Sequence, residues 1–98
     1  MMPVVVDAFL WDDDNEDKAA YHGLRRRQVD QVLRDDYVVV ANRVARRAPY
    51  LLIGLDYGGQ CIAVPIEPTH EPRLWRRVTA WRCKRAEQAR LAQDRRRR

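Results

Sequence analysis

The stretch YLLIGLDYGGQCIAVPIE, residues 50–67, constrains the fold more than any other part of the chain. Two apolar runs flank Tyr57, Gly58 and Gly59, and glycine is the residue that most readily takes the backbone angles of a tight hairpin turn. Residues 50–55 and 61–67 are therefore expected to pair as antiparallel strands. Pro65 has no N–H to give to a ladder, so it marks a sheet edge or a bulge.

Upstream, residues 4–11 mix β-branched and aromatic side chains and read as a first strand. The acidic cluster that follows reads as the start of a helix. Asp13 or Asp14 is the expected cap, with Asn15, Glu16 and Asp17 in the first turn, where the positive end of the helix dipole favours carboxylates. Gly23 can close that helix in the left-handed conformation, which leaves His22 at its C-terminal end. Lys18 and His22, four apart, share a face, and both cations also suit that end of the dipole.

Val29, Val32 and Leu33 recur at helical spacing, so residues 24–35 read as a second, amphipathic helix. Arg25, Arg26 and Arg27 occupy its start, where a capping Ser, Thr or Asp belongs. Residues 37–41 read as a short strand, 43–49 as a basic loop and 68–73 as a second loop. Residues 74–81 read as the last strand, with Trp75, Arg77, Thr79 and Trp81 on one face and Arg76, Val78, Ala80 and Arg82 on the other. Residues 83–94 carry strong helix formers. The expected architecture is one α+β domain over residues 1–94: a strand, two helices, a three- to four-stranded antiparallel sheet and a closing helix, with residues 95–98 as a frayed basic tail.

Charge divides the chain. Residues 1–24 hold six acids and one lysine, a net of −5, whereas residues 25–98 carry a net of +10. The bases are nearly all arginine, which forks onto phosphate well, so a polyanionic partner is a reasonable expectation beside plain surface solvation. Apolar runs are far shorter than the roughly 20 residues of a membrane helix. No basic leader precedes the first acids, so the cytoplasm is the default compartment. Cys61 and Cys83 lack paired spacing and read as buried small hydrophobes rather than as a disulfide or part of a metal site.

Trp11-Asp12, then Asn15-Glu16-Asp17-Lys18, His22-Gly23-Leu24, the Val29, Val32, Leu33 helix, the hairpin strands and RRVTAWRCKRAEQ together resemble the BrnT family of bacterial toxins over nearly the whole chain. The resemblance implies a RelE-like fold and RNA cleavage independent of the ribosome. It also implies a cognate antitoxin of the ribbon-helix-helix type, which covers the toxin and through which oligomers form. Two departures stand out. The family's Ser/Thr-Ala-Arg is Thr79-Ala80-Trp81 here, with arginine one place later at Arg82, and no arginine lies between Tyr50 and Thr69. A one-residue shift on a strand turns a side chain to the other face.

Metal-free RNA cleavage by transesterification needs a base for the 2′-hydroxyl, an acid for the leaving 5′-oxygen and cations around the phosphorane. His22 is the first choice for proton transfer. Lys18, with Arg77 or Arg82, would supply the positive field, and Glu67 would act as base or orient His22. Arg25, Arg26, Arg27, Arg46, Arg47, Arg73 and Arg76 are the candidate RNA-binding residues. His70 reads as a loop residue, and Trp11, Trp75 and Trp81 as core rather than base-stacking groups. No cofactor is called for. The alternatives are a RelE-like module that binds nucleic acid or protein without cutting, and a structural subunit whose basic surface meets an acidic partner.

Overall fold

The computed structural model describes residues 4–42 and 48–96. In chain order they form β1 (Ala8–Leu10), α1 (Asp13–Tyr21), α2 (Arg26–Asp30) prolonged by a 3₁₀ turn (Gln31–Arg34), β2 (Val38–Ala41), β3 (Tyr50–Leu55), β4 (Cys61–Pro68), β5 (Leu74–Arg77), β6 (Trp81–Arg82) and α3 (Arg85–Arg96). The class is α+β, as expected. The sheet is larger than expected and mixed: six strands in the order β1-β5-β4-β3-β2, with β6 also on β4, and β1 parallel to β5.

The hairpin lies at the centre of this sheet. Leu52, Ile62, Val64 and Ile66 turn to one face and pack with Ala19, Leu24, Val29 and Val32 of the α1 and α2 region. Leu51, Ile53 and Ala63 turn to the other and pack with Cys83, just before α3, and with Leu91 on that helix. Both faces are covered, which is why these strands read as continuous apolar runs rather than as alternating ones. Gly54 marks the tightest point. A Cβ there would lie 3.0 Å from the Val32 Cβ and 3.2 Å from the Val32 carbonyl oxygen, so only glycine lets the 3₁₀ turn settle on β3.

The first strand is shorter than residues 4–11 because side chains hold its early backbone. Val6 N donates to the Tyr37 hydroxyl at 3.0 Å, and the Val5 carbonyl accepts from the Trp75 indole at 3.1 Å. The strand ends at Leu10 because Asp12, not Asp13 or Asp14, caps α1: its carboxylate accepts from Asn15 N while Asn15 Oδ1 accepts from Asp12 N, a reciprocal capping box. Gly23, at φ 75°, closes α1 in the expected way. Leu24 N donates to the Ala19 carbonyl and Gly23 N to that of Ala20, a Schellman arrangement.

The expected strand 74–81 is broken. Ile66 pairs with Arg77 and Ala63 with Trp81, so three steps along β4 match four along its neighbour. Thr79 and Ala80 together face Val64, a one-residue bulge. Pro65 explains its position. The Pro65 carbonyl accepts from Val78 N, so its missing N–H faces the same neighbour just where the ladder gives way. The bulge reverses the face of every later residue.

Two further expectations are corrected. Cys61 and Cys83 are joined in a disulfide with Cα atoms 5.3 Å apart, because the β4–β6 register makes them cross-strand neighbours. Helix α3 runs through Arg96, into the span expected as a frayed tail, and Arg95 forms an ion pair with Asp35 at 2.7 Å. Among the described residues, no helix is long and apolar enough to cross a membrane.

Candidate nucleic-acid site

The C-terminal end of α1 carries Lys18 and His22 on exposed positions. His22 is the C-cap, its ring meets Tyr21 edge-on at 5.3 Å between centroids, and its carbonyl oxygen accepts from Arg82 Nη1 at 3.2 Å. The bulge makes this contact possible. Arg82 pairs with Ile62, whose side chain points toward α1, whereas unbroken alternation from Arg77 would have turned Arg82 to α3. Gly23 provides the room: a Cβ there would come within 3.3 Å of the Arg82 guanidinium. The His22-Gly23 pair thus serves Arg82 as well as the helix end. Lys18 makes an exposed i,i+4 ion pair with Asp14 at 3.2 Å, an interaction weak enough in water to yield to a phosphate.

Arg77 does not join this group. It shares the α1 face but is fully buried, stacked 3.8 Å from the centre of the Trp11 ring, with both terminal nitrogens donating to the Asn15 carbonyl. Desolvation pushes its pKa down to about 10, while Asp30 and Asp12 act in the opposite sense. Its Nε finds no partner among the described residues. A side chain held in this way clamps α1 onto β5 and cannot meet substrate. Asn15, also fully buried, completes the clamp: its Nδ2 donates to the carbonyls of Leu10 at 3.1 Å and Arg77 at 3.0 Å. The Asp-x-x-Asn spacing of Asp12 and Asn15 was the signal for this capping role, which the reading of Asn15 as a first-turn polar residue missed.

Glu67 and Arg76 leave the candidate set as well. They are cross-strand partners, and alternation turns them to the face opposite Ile66 and Arg77. Arg76 sits between two carboxylates, 3.0 Å from Glu67 and 3.0 Å from Asp12, with its side chain 17% exposed. Glu67 therefore does not orient His22, and Arg76 is already neutralised. Trp81 points to the α3 side and donates its indole N–H to Glu87 at 3.1 Å. Trp81 therefore lies off the His22 surface, which Arg82 reaches.

The remaining arginines divide by partner. Arg73 is exposed and paired with Asp7 at 2.7 Å, and Arg26 is shared by Glu16 at 3.4 Å and Asp30 at 3.9 Å. Arg46 and Arg47 lie outside the described residues. Arg25, Arg27 and Arg34 are exposed and make no ion pair among the described residues. Arg27 and Arg34 line a groove of about 520 Å³ with Arg26, Asp30, Gln31 and Tyr57. Sequence reasoning missed Arg34 and Tyr57, whose only signal was an aromatic residue placed on a glycine turn. His70 is exposed in its loop, as expected, and the three tryptophans pack against the two cores. Among the described residues, no group of three His, Cys, Asp or Glu side chains is placed to hold a metal ion. In comparisons with known proteins, no family model matches the chain and no curated protein matches it.

Proposed function

We propose that the chain is a BrnT-like endoribonuclease toxin, acting on single-stranded RNA from a reduced centre of His22, Lys18 and Arg82. The observation that carries this reading is the Arg82 guanidinium seated on the His22 carbonyl at the end of α1. In the mechanism, the His22 imidazole removes the proton of a 2′-hydroxyl as that oxygen attacks the adjacent phosphorus. Arg82 spends one N–H on the His22 carbonyl and turns its others to the phosphorane. Lys18 stabilises the same charge and delivers a proton to the departing 5′-oxygen. The products are a 2′,3′-cyclic phosphate and a 5′-hydroxyl. The reading places the protein in the cytoplasm. Its partner is a ribbon-helix-helix antitoxin that covers the site.

The test is incubation of purified protein with single-stranded RNA, scoring 2′,3′-cyclic phosphate ends. His22→Ala and Lys18→Ala should each lose about a hundredfold or more in rate while melting with the wild type. Wild-type protein that cuts no single-stranded RNA in any buffer refutes this reading. One observation favours a second: Arg77 and Glu67 are both committed to structural contacts, which leaves only His22 and Lys18 for the proton steps. A module that binds nucleic acid without cutting would show salt-dependent affinity and no products.

A further inference from the structure

We infer that the groove between α2 and the β3–β4 turn binds one nucleotide of a single-stranded RNA, with its base on the Tyr57 ring and its flanking phosphates on Arg27 and Arg34. The ligand class rests on the RNA reading above, although no step of cleavage is involved.

The turn is clamped onto α2 by glutamines. Gln28 Nε2 donates to Asp56 Oδ2 at 2.9 Å and to Gln60 Oε1 at 3.0 Å, and Gln31 Oε1 accepts from Tyr57 N at 3.0 Å. These contacts use the backbone of Tyr57 and leave its side chain out of the packing. The residue is 69% exposed, an aromatic group whose backbone is anchored to the turn on α2. Gly58 and Gly59 follow, so the ring stands at the tip of a turn that has little else to offer a ligand.

The charges around the ring favour a phosphodiester. Arg27 and Arg34 line the groove, are exposed and make no ion pair among the described residues. The carboxylate present, Asp30, is already engaged by the Trp11 indole at 2.7 Å and by Arg26. The volume of about 520 Å³ lies within the roughly 300–1,000 Å³ range of small-ligand sites. Stacking of a base on an exposed aromatic beside guanidinium groups is how proteins hold single strands without reading sequence. An acidic peptide would use the arginines but has no flat group for the ring.

The experiment titrates a fluorescein-labelled 2′-O-methyl oligouridine, which cannot be cut because its attacking hydroxyl is blocked, into the full chain at several salt concentrations. Tyr57→Ala should weaken binding about tenfold with an unchanged salt slope, and Tyr57→Phe should bind as the wild type does. Arg27→Ala and Arg34→Ala should each lower the slope of log K against log salt by about 0.7. Wild-type affinity in Tyr57→Ala, or unchanged slopes in both arginine variants, overturns the proposal. So does a labelled oligoglutamate that binds through these residues while the oligouridine does not. Cleavage is read separately on unmodified RNA. Binding in the expected pattern without cleavage upholds the groove and removes the nuclease, whereas cleavage with indifferent Tyr57 and arginine variants does the reverse.

Discussion

Replacing Asn15 with alanine should cost this domain a large part of its stability, and the structure gives the size of the effect. The amide nitrogen of Asn15 donates to the buried Arg77 carbonyl at 3.0 Å and to the Leu10 carbonyl at 3.1 Å, while its oxygen accepts from Asp12 N at 2.9 Å. Alanine leaves the Arg77 carbonyl without that donor, a penalty of about 1–3 kcal/mol for a buried unsatisfied group. It also removes half of the capping box, about 1 kcal/mol more. The expected loss is about 2–4 kcal/mol. In a domain of this length each kcal/mol moves the melting midpoint by about 4–8 °C, so the midpoint should fall by about 8–32 °C. Thermal melts followed by far-ultraviolet circular dichroism, supported by urea titrations with an unchanged m value, read this directly. Asn15→Asp should be no better than alanine, because it keeps the acceptor for Asp12 N but points oxygen at two carbonyls. A midpoint within about 3 °C of wild type for Asn15→Ala would refute the assignment of Asn15 and Arg77 as the clamp between α1 and β5.

Two other perturbations test the fold. Gly54→Ala should lower the urea midpoint by the equivalent of about 1–3 kcal/mol, since its new methyl would meet the Val32 carbonyl oxygen, which belongs to the backbone and cannot rotate away. Asp12 is held below the ordinary carboxylate range, first by the Asn15 N–H and then by Arg76. A carboxyl whose pKa is depressed on folding contributes stability that is present above its unfolded value and is lost as pH falls through its folded value. Asp12→Asn, which still caps a helix, should therefore flatten the acid limb of the stability profile between about pH 5 and pH 2, measured by melts across that range.

The surface at His22 shows why a strand position cannot be judged by counting residues. Arg77 and Arg82 are five apart, and strict alternation sends them to opposite faces. The bulge at Thr79 and Ala80 brings both onto the α1 face, but at different depths: Arg77 beneath Trp11, Arg82 at the surface on the His22 carbonyl. Past the bulge, Trp81 turns to the α3 side and Arg82 to the α1 side, the reverse of what alternation from Arg77 predicts.

Local chemistry made much of this legible in the chain itself. The Gly58-Gly59 turn between apolar runs determined the central hairpin, the acids after Trp11 a helix start, and Gly23 the end of that helix, because each depends on residues within a few positions of one another. The class followed from the order of those elements. What only the tertiary structure decided depends on partners far apart in sequence. The parallel pairing of β1 with β5, the Cys61–Cys83 bond, the burial of Arg77 and the pairing of Arg76 with Glu67 and Asp12 all join residues whose separation carries no pattern. Pro65 was visible as a place where a ladder must fail. Which neighbour would yield there, and hence which arginine would face His22, was settled only when the strands were laid side by side.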